Sequence, residues 1–222
     1  MTYSATAQNN LLQPADSLFA KQKYTEAFEK YDEIFDQGMA SPAMLTKMAF
    51  IQEGLGNYAE ALYFLNLYYE KTSDKAAATK MRELAEEHDL KGYEYSDARF
   101  IANFLKKNNQ LIVICLLAFS LFLLAYAFRK KKRGETPAFS LGLQLITLVL
   151  VGVLSNQWFV KGQAIVRQDN SILMTGPSAG AEPVDFVKKG NKVVIKSRDI
   201  LWSEIEWGEE TAFIRTKNLR LL

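Results

Sequence analysis

Catalysis needs a nucleophile, an acid–base pair, a cluster of metal ligands or a phosphate cradle, and this sequence offers few residues for any of them. Its single histidine, His88, stands among Glu86, Glu87 and Asp89. Imidazole beside carboxylates suits a divalent cation, but no second histidine or accessible cysteine supplies a soft co-ligand, so a solvated helix face is the better reading. The single cysteine, Cys115, lies inside an apolar run where a thiol packs or faces lipid and is not activated. It cannot form an internal disulfide, so no redox compartment follows from it. Gly54-Leu55-Gly56 lacks the preceding strand that a phosphate-binding loop requires. The carboxylate pairs Glu86/Glu87 and Glu209/Glu210 sit in charged runs of the kind that are usually solvated. No catalytic residue, cofactor or metal site is expected, and attention moves to binding.

The distribution of charge sets the organisation. Residues 8–108 carry 12 Lys+Arg against 16 Asp+Glu, and residues 161–222 carry 10 against 8. Between them the chain is almost uncharged apart from one basic cluster, Arg129, Lys130, Lys131, Lys132 and Arg133. Residues 111–128 contain no charge at all, enough to cross most of a hydrocarbon core of roughly 30 Å at about 1.5 Å per residue. A transmembrane helix is therefore expected over 110–128, with Lys106 and Lys107 as cationic anchors before it. A second, weaker span is expected over 138–160, interrupted by Gln144 and by Ser155, Asn156 and Gln157, with Trp158 as an interfacial aromatic.

The basic loop 129–137 joins two closely spaced spans, where positive residues most strongly resist translocation. It is expected to be cytoplasmic, which puts both termini across the membrane, in the periplasm of a Gram-negative cell. The apolar flanks hold the cluster at a lipid surface, so a nucleic-acid partner is not expected. Residues 1–10 carry neither a basic start nor an apolar stretch, yet Ala5-Thr6-Ala7 before Gln8 has the form of a signal-peptidase site. The segment reads equally as the tail of a signal peptide or as a linker.

Residues 11–107 have apolar positions at helical spacing and no strand-like alternation. Displacing the chain by 34 residues superposes Ala15 on Ala49, Ala20 on Gly54, Tyr24 on Tyr58, Glu26 on Glu60, Ala27 on Ala61, Tyr31 on Leu65 and Phe35 on Tyr69. That is the period of the tetratricopeptide repeat, a helix-turn-helix unit. Repeats are expected near 8–41 and 42–75, with a degenerate or capping unit at 75–107 in which Tyr95-Ser96-Asp97-Ala98 opens a helix running toward the first span. In this register Tyr24, Ala27, Tyr58 and Ala61 hold the helices together. Asp16, Phe19, Thr46, Phe50 and Glu53 fall on the first helices of the repeats, which line a concave face where peptides dock. Phe19 and Phe50 are the expected anchors, since aromatics carry a disproportionate share of interface energy.

After residue 161 the pattern becomes short β-branched or alternating runs at 164–166, 171–174, 184–187, 192–196, 202–206 and 211–214, punctuated by Gly176-Pro177, Gly190 and Gly208. Six short strands suggest a small barrel over 161–222. Ser171-Ile172-Leu173-Met174-Thr175-Gly176-Pro177-Ser178, Lys189-Gly190-Asn191-Lys192-Val193 and Trp202 with Ile205 resemble the bacterial SH3 family. The resemblance implies binding of peptides or cell-wall fragments, but the likeness loosens at Met174-Thr175 and at Ala212-Phe213-Ile214, which tells against a specific cell-wall ligand.

The order of repeats, membrane hairpin and SH3-like barrel resembles the BatE-type proteins of the Bacteroides aerotolerance operon, most closely at Asp16-Ser17-Leu18-Phe19-Ala20 and Lys91-Gly92-Tyr93-Glu94-Tyr95-Ser96-Asp97. The resemblance implies an inner-membrane component that works with other Bat-type membrane proteins in oxygen tolerance or envelope homeostasis. Three functions stand open: a scaffold for protein partners, an envelope sensor that binds peptidoglycan through the barrel, and an accessory subunit of a membrane complex.

Overall fold

The computed structural model describes residues 2–94, 101, 104–105, 108–156, 162–208 and 210–222, with side chains from residue 11 onward. Five helices come first: α1 (Thr2–Ala20), α2 (Tyr24–Asp36), α3 (Pro42–Gly54), α4 (Tyr58–Thr72) and α5 (Lys75–Glu87). The helix starts follow local chemistry. Ser41 Oγ accepts from Met44 N at 3.2 Å with Pro42 in the first turn of α3, and Asp74 Oδ1 accepts from Ala76 N at 2.9 Å at the start of α5. Helix α1 begins at Thr2, so the stretch expected to lead into the first helix is itself helical. Pro14 lies inside it, where it withholds one backbone donor without ending the helix.

Helix α1 packs on α2, α3 on α4, and α4 on α5. Ala27 and Ala61 are fully buried, and their size lets the flanking helices approach Tyr31, Leu45, Met48, Leu62 and Phe64. Helix α5, largely polar in sequence, still buries Ala77, Met81, Leu84 and Ala85 on one face.

The C-terminal residues form a seven-stranded antiparallel sheet: β1 (Gly162–Val166), β2 (Ser171–Met174), β3 (Pro183–Val187), β4 (Lys192–Arg198), β5 (Trp202–Trp207), β6 (Glu210–Arg215) and β7 (Leu219–Leu221). Its order is β3-β2-β6-β5-β4-β1-β7. Alternating residues Leu173, Val193, Ile205, Ala212 and Ile214 point into its core. Strand β7 was not foreseen from the sequence. Three residues after a 3-10 turn at Thr216–Asn218 are too short to show a period, and pairing with β1 holds them extended.

The helices and the sheet belong to one compact unit. Their seam is backbone-tight: Lys192 N donates to Lys91 O at 3.0 Å, Lys91 N donates to Asn191 Oδ1 at 2.9 Å, and the buried Tyr93 hydroxyl donates to Gly190 O at 2.7 Å. Gly92, at φ +94°, passes so close to β4 that a Cβ there would lie 2.0 Å from Lys192 O. Arg220 of β7 pairs with Glu60 of α4 and stacks 3.8 Å from the Tyr63 ring.

A second unit holds α6 (Asn109–Lys132) and α7 (Ala138–Asn156), two helices long and apolar enough to cross a membrane. Gln144, which interrupts the apolar run in sequence, donates from Nε2 to Ser120 Oγ at 2.7 Å and ties α7 to α6. The basic cluster is not all loop. Arg129 through Lys132 form the last turn of α6, with Arg133 as its C-cap, because Lys and Arg are good helix formers and their charges complement the helix C-terminus. Lys106, Lys107, Trp158, Glu209 and the Tyr95-Ser96-Asp97-Ala98 motif lie outside the described residues.

Candidate binding surface

Helices α1, α2 and α3 bring three aromatic rings together at the surface. Phe19 and Phe50 meet edge-to-face at 5.8 Å, Phe19 and Tyr24 at 5.4 Å, and Tyr24 and Phe50 at 5.7 Å. The two phenylalanines expected as anchors are thus one cluster. They are not equivalent: Phe50 is 55% exposed, while Phe19 is half-buried against the core. Tyr24, expected only to pack helices, completes the cluster and shares its surface. Sequence reasoning missed it because position within a repeat does not show which ring edge remains outside.

Charges frame the aromatics. Asp16 Oδ1 accepts from the Tyr31 hydroxyl at 2.5 Å and pairs with Lys47 at 2.8 Å, and the Lys47 ammonium lies 5.5 Å from the centre of the Phe19 ring. Burial, reinforced by Asp16, pushes the Tyr31 phenol well above its ordinary pKa and keeps it a donor. One turn beyond Phe50, Glu53 receives Lys80 of α5 at 2.6 Å, and that bond raises the Lys80 pKa. Thr46 donates to Ala43 O within α3 and is half-buried. Asp16, Phe19, Phe50 and Glu53 therefore follow one path across α1 and α3, and the path extends to α5 through Lys80. Lys47 and Lys80 are participants that the sequence reading did not single out. Lys47 lies at helical spacing, three residues before Phe50, and could have been found from the sequence; Lys80 comes from α5, beyond α4, and leaves no local pattern.

His88 is not on a solvated helix face. Its ring stacks on Tyr58 at 3.5 Å and 21°, and its Nε2 is buried with no hydrogen-bond partner among the described residues. The α5 C-terminus turns there toward Leu90, which removes the residue from the polar face that helical spacing assigns it. A cavity of about 340 Å³ opens beside it, lined by Asn57, Tyr58, Lys188 and Lys189 among others. Lys188 is paired with Asp89 at 2.6 Å, which holds the Asp89 carboxyl below the usual carboxylate range. Among the described residues no group of three His, Cys, Asp or Glu could hold a metal ion. Cys115 is exposed on α6.

Neither a protein-family model, nor a curated protein, nor a solved structure matches this chain.

Proposed function

We propose that this protein is a non-catalytic scaffold of the bacterial inner membrane, which binds a protein partner through the Phe19/Tyr24/Phe50 surface of a tetratricopeptide-type helical array. The observation that carries this reading is Phe50: a large aromatic left more than half exposed, ringed by two further aromatics and bordered by the Asp16–Lys47 and Glu53–Lys80 pairs. Such a surface suits an amphipathic or extended peptide that places an apolar side chain on the rings and polar groups against the rim. On this reading α6 and α7 anchor the protein as a two-pass hairpin. The basic turn at Arg129 to Arg133 faces the cytoplasm, and the helices and SH3-like sheet work outside it. Resemblance to BatE-type proteins suggests other Bat-type membrane proteins as partners.

The test uses the full chain in detergent. Partner retention by the native protein, lost in Phe50→Ala with an unchanged melting temperature, supports this surface. Undiminished retention by Phe50→Ala removes it.

A second reading draws on the seam between helices and sheet. An envelope sensor that binds peptidoglycan or a peptide through the sheet needs a stiff route to the repeats, and the Lys91, Tyr93 and Arg220 contacts would supply one. Retention of the protein on sacculi, sensitive to changes in the sheet and not to Phe50→Ala, distinguishes this reading.

A further inference from the structure

Among the described residues, the most exposed large apolar side chain is on the turn between β4 and β5. Ile200 is 89% exposed and its neighbour Leu201 62% exposed. Isolated apolar residues on a surface need no explanation, but two in succession at a hairpin tip are unusual. The turn is not slack. Asp199 N donates to Trp202 O at 2.9 Å, Asp199 Oδ1 accepts from Ile200 N at 2.7 Å, and Thr216, at the start of the 3-10 turn after β6, braces it by donating from N to Leu201 O and from Oγ1 to Asp199 O. The backbone is thus fixed in a form that holds both aliphatic side chains out in water.

The surroundings of the tip have a definite chemistry. Arg198 and Lys217 are exposed near it, and the Arg215 guanidinium lies 4.4 Å from the centre of the Trp202 ring at its base. Aliphatics at the apex, a tryptophan below them and cations around them match the layering of a lipid interface: acyl chains, the headgroup boundary and anionic headgroups.

Topology directs the tip toward a membrane if α7 spans one. Only residues 157–161 separate Asn156 from Gly162, so the chain can extend at most about 20 Å between them. Gly162 opens β1 and pairs with Ile195 of β4. The strands are antiparallel, so β1 leads away from the point of entry and β4 returns to it. Strand β4 then overshoots: Ile200 lies five residues beyond Ile195, about 16 Å along a strand, less what the bulge near Lys196 takes up. The overshoot and the tether are of similar length. The tip therefore emerges at the same end of the sheet as Gly162, where the chain enters β1.

We propose that the Ile200-Leu201 tip inserts into the lipid interface and pins the sheet to the membrane surface. This rests on the reading of α6 and α7 as membrane spans. The test uses the full chain with Cys115→Ser, reconstituted in vesicles of phosphatidylcholine and phosphatidylglycerol. An environment-sensitive fluorophore is attached to Ile200→Cys, to Leu121→Cys in α6, or to Ala179→Cys in the β2–β3 loop at the opposite end of the sheet. The Ile200→Cys probe should show blue-shifted emission and quenching by lipids brominated on their acyl chains, while the Ala179→Cys probe shows neither. Adding Leu201→Asp should reduce the quenching several-fold. Water-like, unquenched emission from Ile200→Cys with a quenched Leu121→Cys probe overturns the proposal alone. A blue shift without quenching means burial against protein, such as a second copy, and also overturns it. An unquenched Leu121→Cys probe removes the spanning reading itself, and the proposal with it.

Discussion

The hydroxyl of Tyr93 donates a 2.7 Å hydrogen bond to the carbonyl of Gly190, across the seam between the helices and the sheet. Both residues are buried, and burial pushes the Tyr93 phenol far above its ordinary pKa, so it remains a neutral donor at any pH the protein meets. Tyr93→Phe leaves the Gly190 carbonyl without this partner and should cost about 1–3 kcal/mol. Gly190→Ala should cost more, because the position has φ +98° and a Cβ there would lie 2.9 Å from Leu90 Cδ1. Chemical denaturation of the full chain in detergent, followed separately by helix and tryptophan signals, checks both. The two signals should shift together in each variant, and a shift in one alone would show that the seam does not couple them.

Buried and exposed residues separate at positions that the 34-residue displacement relates. Ala27 and Ala61 are fully buried, so Ala27→Leu or Ala61→Leu should overpack the array and lower stability by about 1–3 kcal/mol. Phe50→Ala removes only edge contacts with Phe19 and Tyr24 and should cost less than about 1.5 kcal/mol. Thermal melts should therefore place both alanine variants well below the native protein and Phe50→Ala close to it.

Asp185 on β3 accepts from the Trp207 indole N–H at 2.9 Å, and this bond, with a second from Phe186 N, lowers its pKa. A carboxylate with a depressed folded pKa contributes stability above its unfolded value of about 3.9, and that contribution is lost as pH falls through the folded value. The Trp207 indole proton resonance should therefore shift only below about pH 4, and Asp185→Asn should abolish the titration. A midpoint above the ordinary carboxylate range would contradict the assignment.

Within the hairpin, the Gln144–Ser120 bond gives an asymmetric expectation. Ser120→Ala strands a buried amide whose Oε1 already has no hydrogen-bond partner among the described residues. Gln144→Leu removes the amide altogether. Ser120→Ala should destabilise the hairpin by about 0.6–1.7 kcal/mol, and the double variant should recover most of it. Unfolding in mixed micelles, read as a double-mutant cycle, measures the difference.

Periodicity made much of this architecture legible. The 34-residue displacement located Ala27 and Ala61, which are both fully buried, and β-branched runs located six of the seven strands. Two kinds of feature were not legible. Contacts between segments far apart in sequence, such as Lys91 with Asn191 or Arg220 with Glu60, leave no local pattern. Side-chain environment also escapes a one-dimensional reading. His88 sits among carboxylates in the sequence yet stacks on Tyr58, and Tyr24 has a packing residue's spacing yet borders the exposed Phe50.

The basic turn of α6 yields the remaining prediction. Arg129, Lys130, Lys131 and Lys132 project from one helical turn directly after the apolar stretch, and among the described residues Lys130 lies 3.6 Å from Glu135, which offsets one of the five charges. Carrying such a cluster across a membrane is strongly disfavoured, and acidic residues count little in setting orientation. A reporter inserted at Gly134 should therefore be active only as a cytoplasmic fusion, while one placed after Leu222 should be active only as a periplasmic fusion. Replacing all five basic residues with Gln keeps helix propensity and removes the charge, so it should yield a mixed population by both reporters with α6 still helical. Glu135→Gln should leave the orientation unchanged. A C-terminal fusion that is active in the cytoplasm, with the Gly134 fusion also cytoplasmic, would mean that α7 does not cross, and the hairpin anchor would have to be abandoned.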